Sequence, residues 1–257
     1  MRTCSKCNLS YDDDKKFCKN CGNPLEENNS MITDRKVTIG QKVFISLTGL
    51  FFISFLSIHM TMNLFLIFDD SGNLFNFASH FVTTNPMIKI VESIIAIGLI
   101  IHIIWSVWIK LQNIKARPHY YYSGDKLLKR WESSHYMFIL GGIVLIFLIL
   151  HILNFWVKMK ITGDPLLNGV VVDGVEMHNA YALVSNLFIN HPLYDVIYMI
   201  GGIFVGLYIA YDFVSVFQTI GLSNINWIKR LKFVANIIGF VFAIGFSSIP
   251  LYFLIKF

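Results

Sequence analysis

Five stretches of this chain are apolar for longer than the core of a small soluble domain requires: roughly 43–68, 87–109, 136–157, 193–217 and 233–255. A bilayer's hydrocarbon core takes about 20 residues of helix to cross. None of the runs alternates polar with apolar residues, and a membrane strand needs only about 10 residues, so strands are excluded. Only 14% of the chain is charged, against about a quarter in ordinary soluble domains. The pattern predicts an all-α membrane protein built as a five-transmembrane-helix bundle, with residues 39–257 as its membrane domain. The polar N-terminus offers no cleavable signal peptide.

Charge sets the orientation. Lys36 and Lys42 precede the first run, Lys110, Lys115, Arg117, Lys126, Lys129 and Arg130 follow the second, and Lys229, Arg230 and Lys232 follow the fourth. The other connections carry Asp69 and Asp70, or Asp164, Asp173 and Glu176. Basic loops stay in the cytoplasm, which predicts an N-terminus inside, a C-terminus outside and residence in the inner (cytoplasmic) membrane. The net charge of +5 is thereby spent on topology, and no nucleic-acid partner is expected.

All four cysteines fall in "CSKCNLSYDDDKKFCKNCG": Cys4, Cys7, Cys18 and Cys21. Two C-x2-C knuckles supply four thiolates for a tetrahedral zinc ion, and a cytoplasmic position argues against disulfides. Four protein ligands close the coordination sphere, so the predicted zinc ribbon, residues 1–22, is structural and folds with its metal. Residues 23–38 read as a flexible linker in which Met31 is a second possible start.

Three runs each bury a histidine: His59 in "FLSIHMTMNL", His102 in "GLIIHIIWSVW" and His151 in "IFLILHILNFW". The fourth carries Tyr208 in "FVGLYIAYDFV". Ionisable side chains inside a span are costly and mark function by default, although a neutral histidine donating one hydrogen bond to a neighbouring helix is the plain alternative. At about 1.5 Å per residue, His59 lies roughly 24 Å from the inner end of its run and His151 roughly 22 Å. His102 is about 12 Å, and Tyr208 about 15 Å, from the inner ends of theirs. Two levels result: His59 with His151 outside, His102 with Tyr208 inside. Paired imidazoles at one depth suit a low-spin b-type haem lying between helices. A bare metal would want more ligands at one level, and a proton relay would want carboxylates between the outer pair.

In order and spacing, the segments "IGQKVFISLTGLFFISFLSIHMTMNL", "NPMIKIVE", "IIHIIWSVWIKLQNIKARP", "FLILHILNFWVKMK", "VFQTIGL" and "GFSSIPLYF" resemble the single-chain, five-helix, two-haem cytochrome b anchor of succinate:quinone and fumarate:quinone reductases of the Bacteroidetes type. The resemblance runs from about Thr38 to the C-terminus and leaves the cysteine-rich head outside it. It implies a flavoprotein subunit and an iron–sulfur subunit as cytoplasmic partners, menaquinone or another quinone as the membrane partner, and room for a homo-oligomer of the whole complex. It also implies that His59 and His151 hold the distal haem b, and that His102 supplies one ligand of a proximal haem. Dicarboxylate chemistry would belong to the partners.

The fourth helix departs from that pattern. The family tends to read "GFHLLHGFQSAFQTLGL" where this chain has "GLYIAYDFVSVFQTIGL". Tyr208 and Tyr211 stand in place of histidines, and Asp212 in place of a glycine. Three arrangements of the inner level stay open: no haem, with Tyr208, Tyr211, Asp212 and His102 in a hydrogen-bonded cluster; haem on His102 alone; or a tyrosinate ligand. A haem-poor anchor or scaffold whose zinc ribbon recruits a partner is the rival function.

Smaller features carry expectations too. Arg117 can pair with a haem propionate or simply set topology. His80 sits in an outer loop and can border a quinone pocket. Asn63 and Asn154 follow His59 and His151 closely enough to hydrogen-bond in the bundle, Gly49, Gly98, Gly141 and Gly142 are candidates for close approach, and Pro250 for a helix kink. The connection from 161 to 192 is long enough for an outer cap.

Overall fold

The computed structural model describes residues 2–4, 6–7, 9–11, 15–27, 39–116, 134–221 and 224–257. It divides into two units, Met1–Val37 and Thr38–Phe257.

The smaller unit is a three-stranded antiparallel sheet in the order β2–β1–β3, formed by β1 (Arg2–Thr3), β2 (Ser10–Tyr11) and β3 (Glu26–Glu27). Glu26 and Glu27 pair with Thr3 and Arg2, and buried Leu25 packs on the cysteines. The ribbon therefore extends past residue 22, into what reads in sequence as tether. Among the described residues its apolar centre is Leu25 and the cysteine sulfurs, too little to order such a unit without a cross-link or metal.

The larger unit is helical because apolar runs in lipid must satisfy every backbone N–H and C=O internally. Its long helices are α1 (Ile39–Phe68), α3 (Pro86–Ala116), α4 (Ser134–His151), α6 (Pro192–Thr219) and α7 (Ile225–Lys256). Beyond His151, α4 continues as π-helical turns to Thr162. Among the described residues five segments have the length and apolarity to cross a membrane: Gly40–Phe68, Pro86–Gln112, Met137–Thr162, Pro192–Thr219 and Asn226–Lys256. This is an all-α, multi-pass membrane architecture. Pro250 lies inside α7, which runs on to Lys256.

The closest helix pair is α6 with α7. Gly202, Gly206 and Ala210 on one helix meet Gly239, Ala243 and Ser247 on the other, each set spaced by four residues. A Cβ on Gly206 would lie 2.7 Å from the Ala243 Cβ, and one on Gly239 would lie 2.6 Å from the Gly206 carbonyl oxygen. The Ser247 hydroxyl donates to the Met199 carbonyl at 2.8 Å. Small residues let backbones touch where lipid gives no hydrophobic drive. Of the four glycines expected at close approaches, Gly49 is one, Gly141 and Gly98 have ordinary contact with Tyr208 at 3.4 Å and Phe52 at 3.8 Å, and Gly142 is open.

One end of the bundle is capped by α2 (Asn73–Thr84), a hairpin of β4 (Gly169–Val172) and β5 (Val175–His178), and α5 (Ala180–Asn190). The connection from 161 to 192 thus forms a cap, and His80 lies on a helix, not in a loop. The Asn76 side chain, 2% exposed, accepts from the Tyr181 amide at 2.8 Å and donates to Asn179 Oδ1 at 3.2 Å. Asn179 in turn caps α5 by accepting from the Ala182 amide at 3.0 Å. Asp69 starts α2 by accepting from the Leu74 amide at 2.7 Å and the Ser71 hydroxyl at 2.6 Å. The Ser71 hydroxyl first, and the Leu74 amide next, hold the Asp69 carboxyl below the usual carboxylate range. Gly72 (φ 73°) leads into α2 under the Tyr181 ring, where a Cβ would come within 2.7 Å of that side chain. The end of α7 closes the same cap through the triad Asp70, Tyr252 and Lys256.

Candidate functional site

The histidines are delivered from separate helices. His59 on α1 faces His151 on α4 with ring centroids 5.7 Å apart and ring planes crossing at 86°. A metal–imidazole bond is about 2 Å long, so two imidazoles on opposite faces of one iron have centroids about 6 Å apart. The observed pair fits that spacing. Its surroundings are aromatic: Phe55 stacks on His59 at 5.6 Å, and Phe155 and Tyr198 lie 5.2 and 6.1 Å from the His151 ring. Asn154 donates to the Tyr198 hydroxyl at 3.1 Å, tying α6 to the helix of His151. The Asn63 amide donates to the His59 carbonyl at 2.8 Å and reaches His59 Nε2 at 3.3 Å. His151 is also the last residue before the backbone widens into π-helix, a distortion frequent at functional sites.

The surroundings of His102 and Tyr208, the level expected to be inner, are built differently. The His102 ring, 9% exposed, holds Thr48 Oγ1 at 2.8 Å through Nδ1. The Thr48 hydrogen goes to the Ile45 carbonyl at 2.7 Å, so Nδ1 is the donor and the lone pair resides on Nε2. The Phe52 ring lies 5.6 Å from that of His102. Among the described residues His102 makes no ring contact with Tyr208, and its hydrogen bond goes to α1. Tyr208 rests on Gly141. Asp212, 6% exposed, inserts its carboxyl into the notch of Gly49, where an added Cβ would be 3.1 Å from Cγ and closer still to Oδ2. Among the described residues no second imidazole faces His102, and the notch at Gly49 is filled by Asp212, so this arrangement does not fit a haem. Arg117 lies outside the described residues.

The four cysteines converge. Their sulfurs lie within 4.8 Å of one another, with Cys4 Sγ and Cys21 Sγ 3.4 Å apart. Ligands about 2.3 Å from a tetrahedral ion are about 3.8 Å from each other, so the cluster fits a metal ion. Knuckle bonds shape it: the Cys4 amide donates to Leu9 O at 3.0 Å and the Cys18 amide to Asn23 O at 2.8 Å. The Asn23 backbone lowers the Cys21 thiol, but the neighbouring Cys7 thiol, partial burial and the other two cysteines outweigh it, and the thiol is pushed up to about 12. Sulfurs this crowded ionise together only around a cation.

Two features were not legible beforehand. A pocket of about 210 Å³ at the capped end is lined by Ser79, His80, Thr83, Met159, Lys160, Leu167, His178 and Ala180. His178 donates from Nδ1 to Leu167 O at 3.2 Å, and Lys160 pairs with Glu92 at 3.3 Å. Glu92 also accepts from Trp156 Nε1 at 2.9 Å. Asp195, in the first turn of α6, is 1% exposed, and among the described residues neither of its carboxylate oxygens has a hydrogen-bond partner. No family model, curated protein or solved structure matches the chain.

Proposed function

We propose that this chain is the haem-binding membrane anchor of a succinate dehydrogenase or fumarate reductase complex in the cytoplasmic membrane, with its cysteine ribbon on the cytoplasmic side. The observation that carries the reading is the pair His59 and His151, two imidazoles from different spans facing each other at 5.7 Å. They would hold a haem b, and that group would supply reversible one-electron transfer. The chain's own contribution is to fix the two rings, through Phe55, Phe155 and Tyr198, and to keep the site free of bulk water.

Membrane quinone is the redox partner in this reading. The capped-end pocket supports it: Met159 and Lys160 lie about two turns beyond His151, and the pocket offers imidazole and hydroxyl groups suited to quinone oxygens. The ribbon's four sulfurs would hold zinc, because thiolates and closed tetrahedral geometry favour that ion. Flavoprotein and iron–sulfur subunits would bind at the inner face, which the chain's resemblance to cytochrome b anchors implies.

Isolating the tagged chain from its native membrane tests this. Bound flavin, iron–sulfur centres and succinate-dependent quinone reduction in the purified material are the expected outcome. A chain that purifies without flavin or haem leaves the haem-poor scaffold as the better description.

A further inference from the structure

The outer and inner levels have the same general plan, one ionisable ring from each of two helices, yet their packing is opposite. At the outer level the two imidazoles face each other. At the inner level, His102 is tied sideways to Thr48, and Tyr208 lies against Gly141. Asp212, one turn beyond Tyr208, fills the gap between α6 and α1. Its carboxyl is seated on Gly49, so the absence of a side chain there is already used. A porphyrin placed between helices needs such a gap to be open.

We infer that Asp212 is the residue that sets the haem stoichiometry of this chain. Seated in the notch of Gly49, it keeps a porphyrin out of the inner level, and haem binds at the outer level alone. The inference rests on the outer-site reading above and adds a specificity-determining residue to it. Tyr208 is the second part of the device, since it removes the imidazole that would face His102. The two act separately: one denies space, the other denies a ligand. The inner half of the membrane then contains no iron, and quinone, which is mobile across the depth of the bundle, is what connects an inner-side partner with the outer haem.

The test is a haem count by pyridine haemochrome on the purified full-length chain. One haem is expected in the native protein. Tyr208→His alone stays at one because the notch is still filled, and Asp212→Gly alone stays at one because no second imidazole is supplied. The double variant Tyr208→His/Asp212→Gly rises towards two, and adding His102→Ala returns it to one. Two haems in the native chain overturn the inference while leaving the outer site intact. A second haem in Tyr208→His alone also overturns it, since Asp212 is then no barrier. So does a double variant that retains the outer haem, and is therefore folded, but gains no other. Zero haem in the native chain overturns it together with the outer-site reading, and the count alone separates that failure from the others.

Discussion

Replacing Gly49 by alanine probes the α1–α6 contact without reference to any cofactor. An added Cβ would lie 3.1 and 3.2 Å from Asp212 Cγ and Oδ1, and nearer to Oδ2. Ordinary C···O approach is about 3.3–3.6 Å, so the nearer oxygen must retreat by about 1 Å. The carboxyl is short and buried, with little freedom to swing away, so part of the shift falls on the helix pair. Overpacking of this kind costs about 1–3 kcal/mol, which for a unit of this size lowers the thermal midpoint by roughly 2–4 °C per kcal/mol. Asp212→Ala alone removes a carboxyl that is costly to bury and is expected to be neutral or stabilising. In the double variant the added methyl has space, so the Gly49→Ala penalty should fall by at least about 1 kcal/mol. Thermal unfolding of the four proteins in one detergent closes the cycle. An equal Gly49→Ala penalty in both backgrounds would mean that Asp212 does not occupy the notch.

Three further outcomes follow from other parts of the chain. Asn76→Ala strips the Tyr181 amide and Asn179 of a buried partner, at about 1–3 kcal/mol, and should raise hydrogen exchange in α5 more than in α7. The Lys256 ammonium, and then the Tyr252 hydroxyl, hold the Asp70 carboxyl below the usual carboxylate range. A folded value below the unfolded one means the clasp stabilises above the unfolded value and is lost as pH falls through the folded one. Exchange at the end of α7 should therefore rise only below about pH 4, and Asp70→Asn should abolish that acid step. Cys4→Ser should remove the bound metal, read by elemental analysis as one zinc per native chain and none per variant, while leaving any haem spectrum unchanged.

The helices were legible because nothing but length and apolarity is needed to recognise a span, and the spans observed match the runs to within a few residues, except where Met137–Thr162 and Asn226–Lys256 run longer. Short elements were less so. The segment "NLFNFASHFVTT" is amphipathic for barely three turns, and reads as loop until Asp69 and Gly72 are seen to start it. The tight α6–α7 seam is written as "GGIFVGLYIA" and "GFVFAIGFS", but many glycines in the chain have the same look, and only the partner helix decides which are used. The depths of His59 and His151 followed from counting residues. Their facing geometry, the turning of His102 towards Thr48 and the isolation of Asp195 depend on helix rotation, which a chain apolar on all sides does not encode in its periodicity.

The most direct test of the outer site is electron paramagnetic resonance of the oxidised, purified chain. Two axial imidazoles whose planes cross at 86° leave the iron d orbitals they act on nearly degenerate. The expected signal is thus a strongly anisotropic low-spin ferric haem, lost on changing His59 or His151 to alanine. A rhombic signal would mean that the two rings are parallel, and a high-spin signal or none would mean that they do not jointly hold iron.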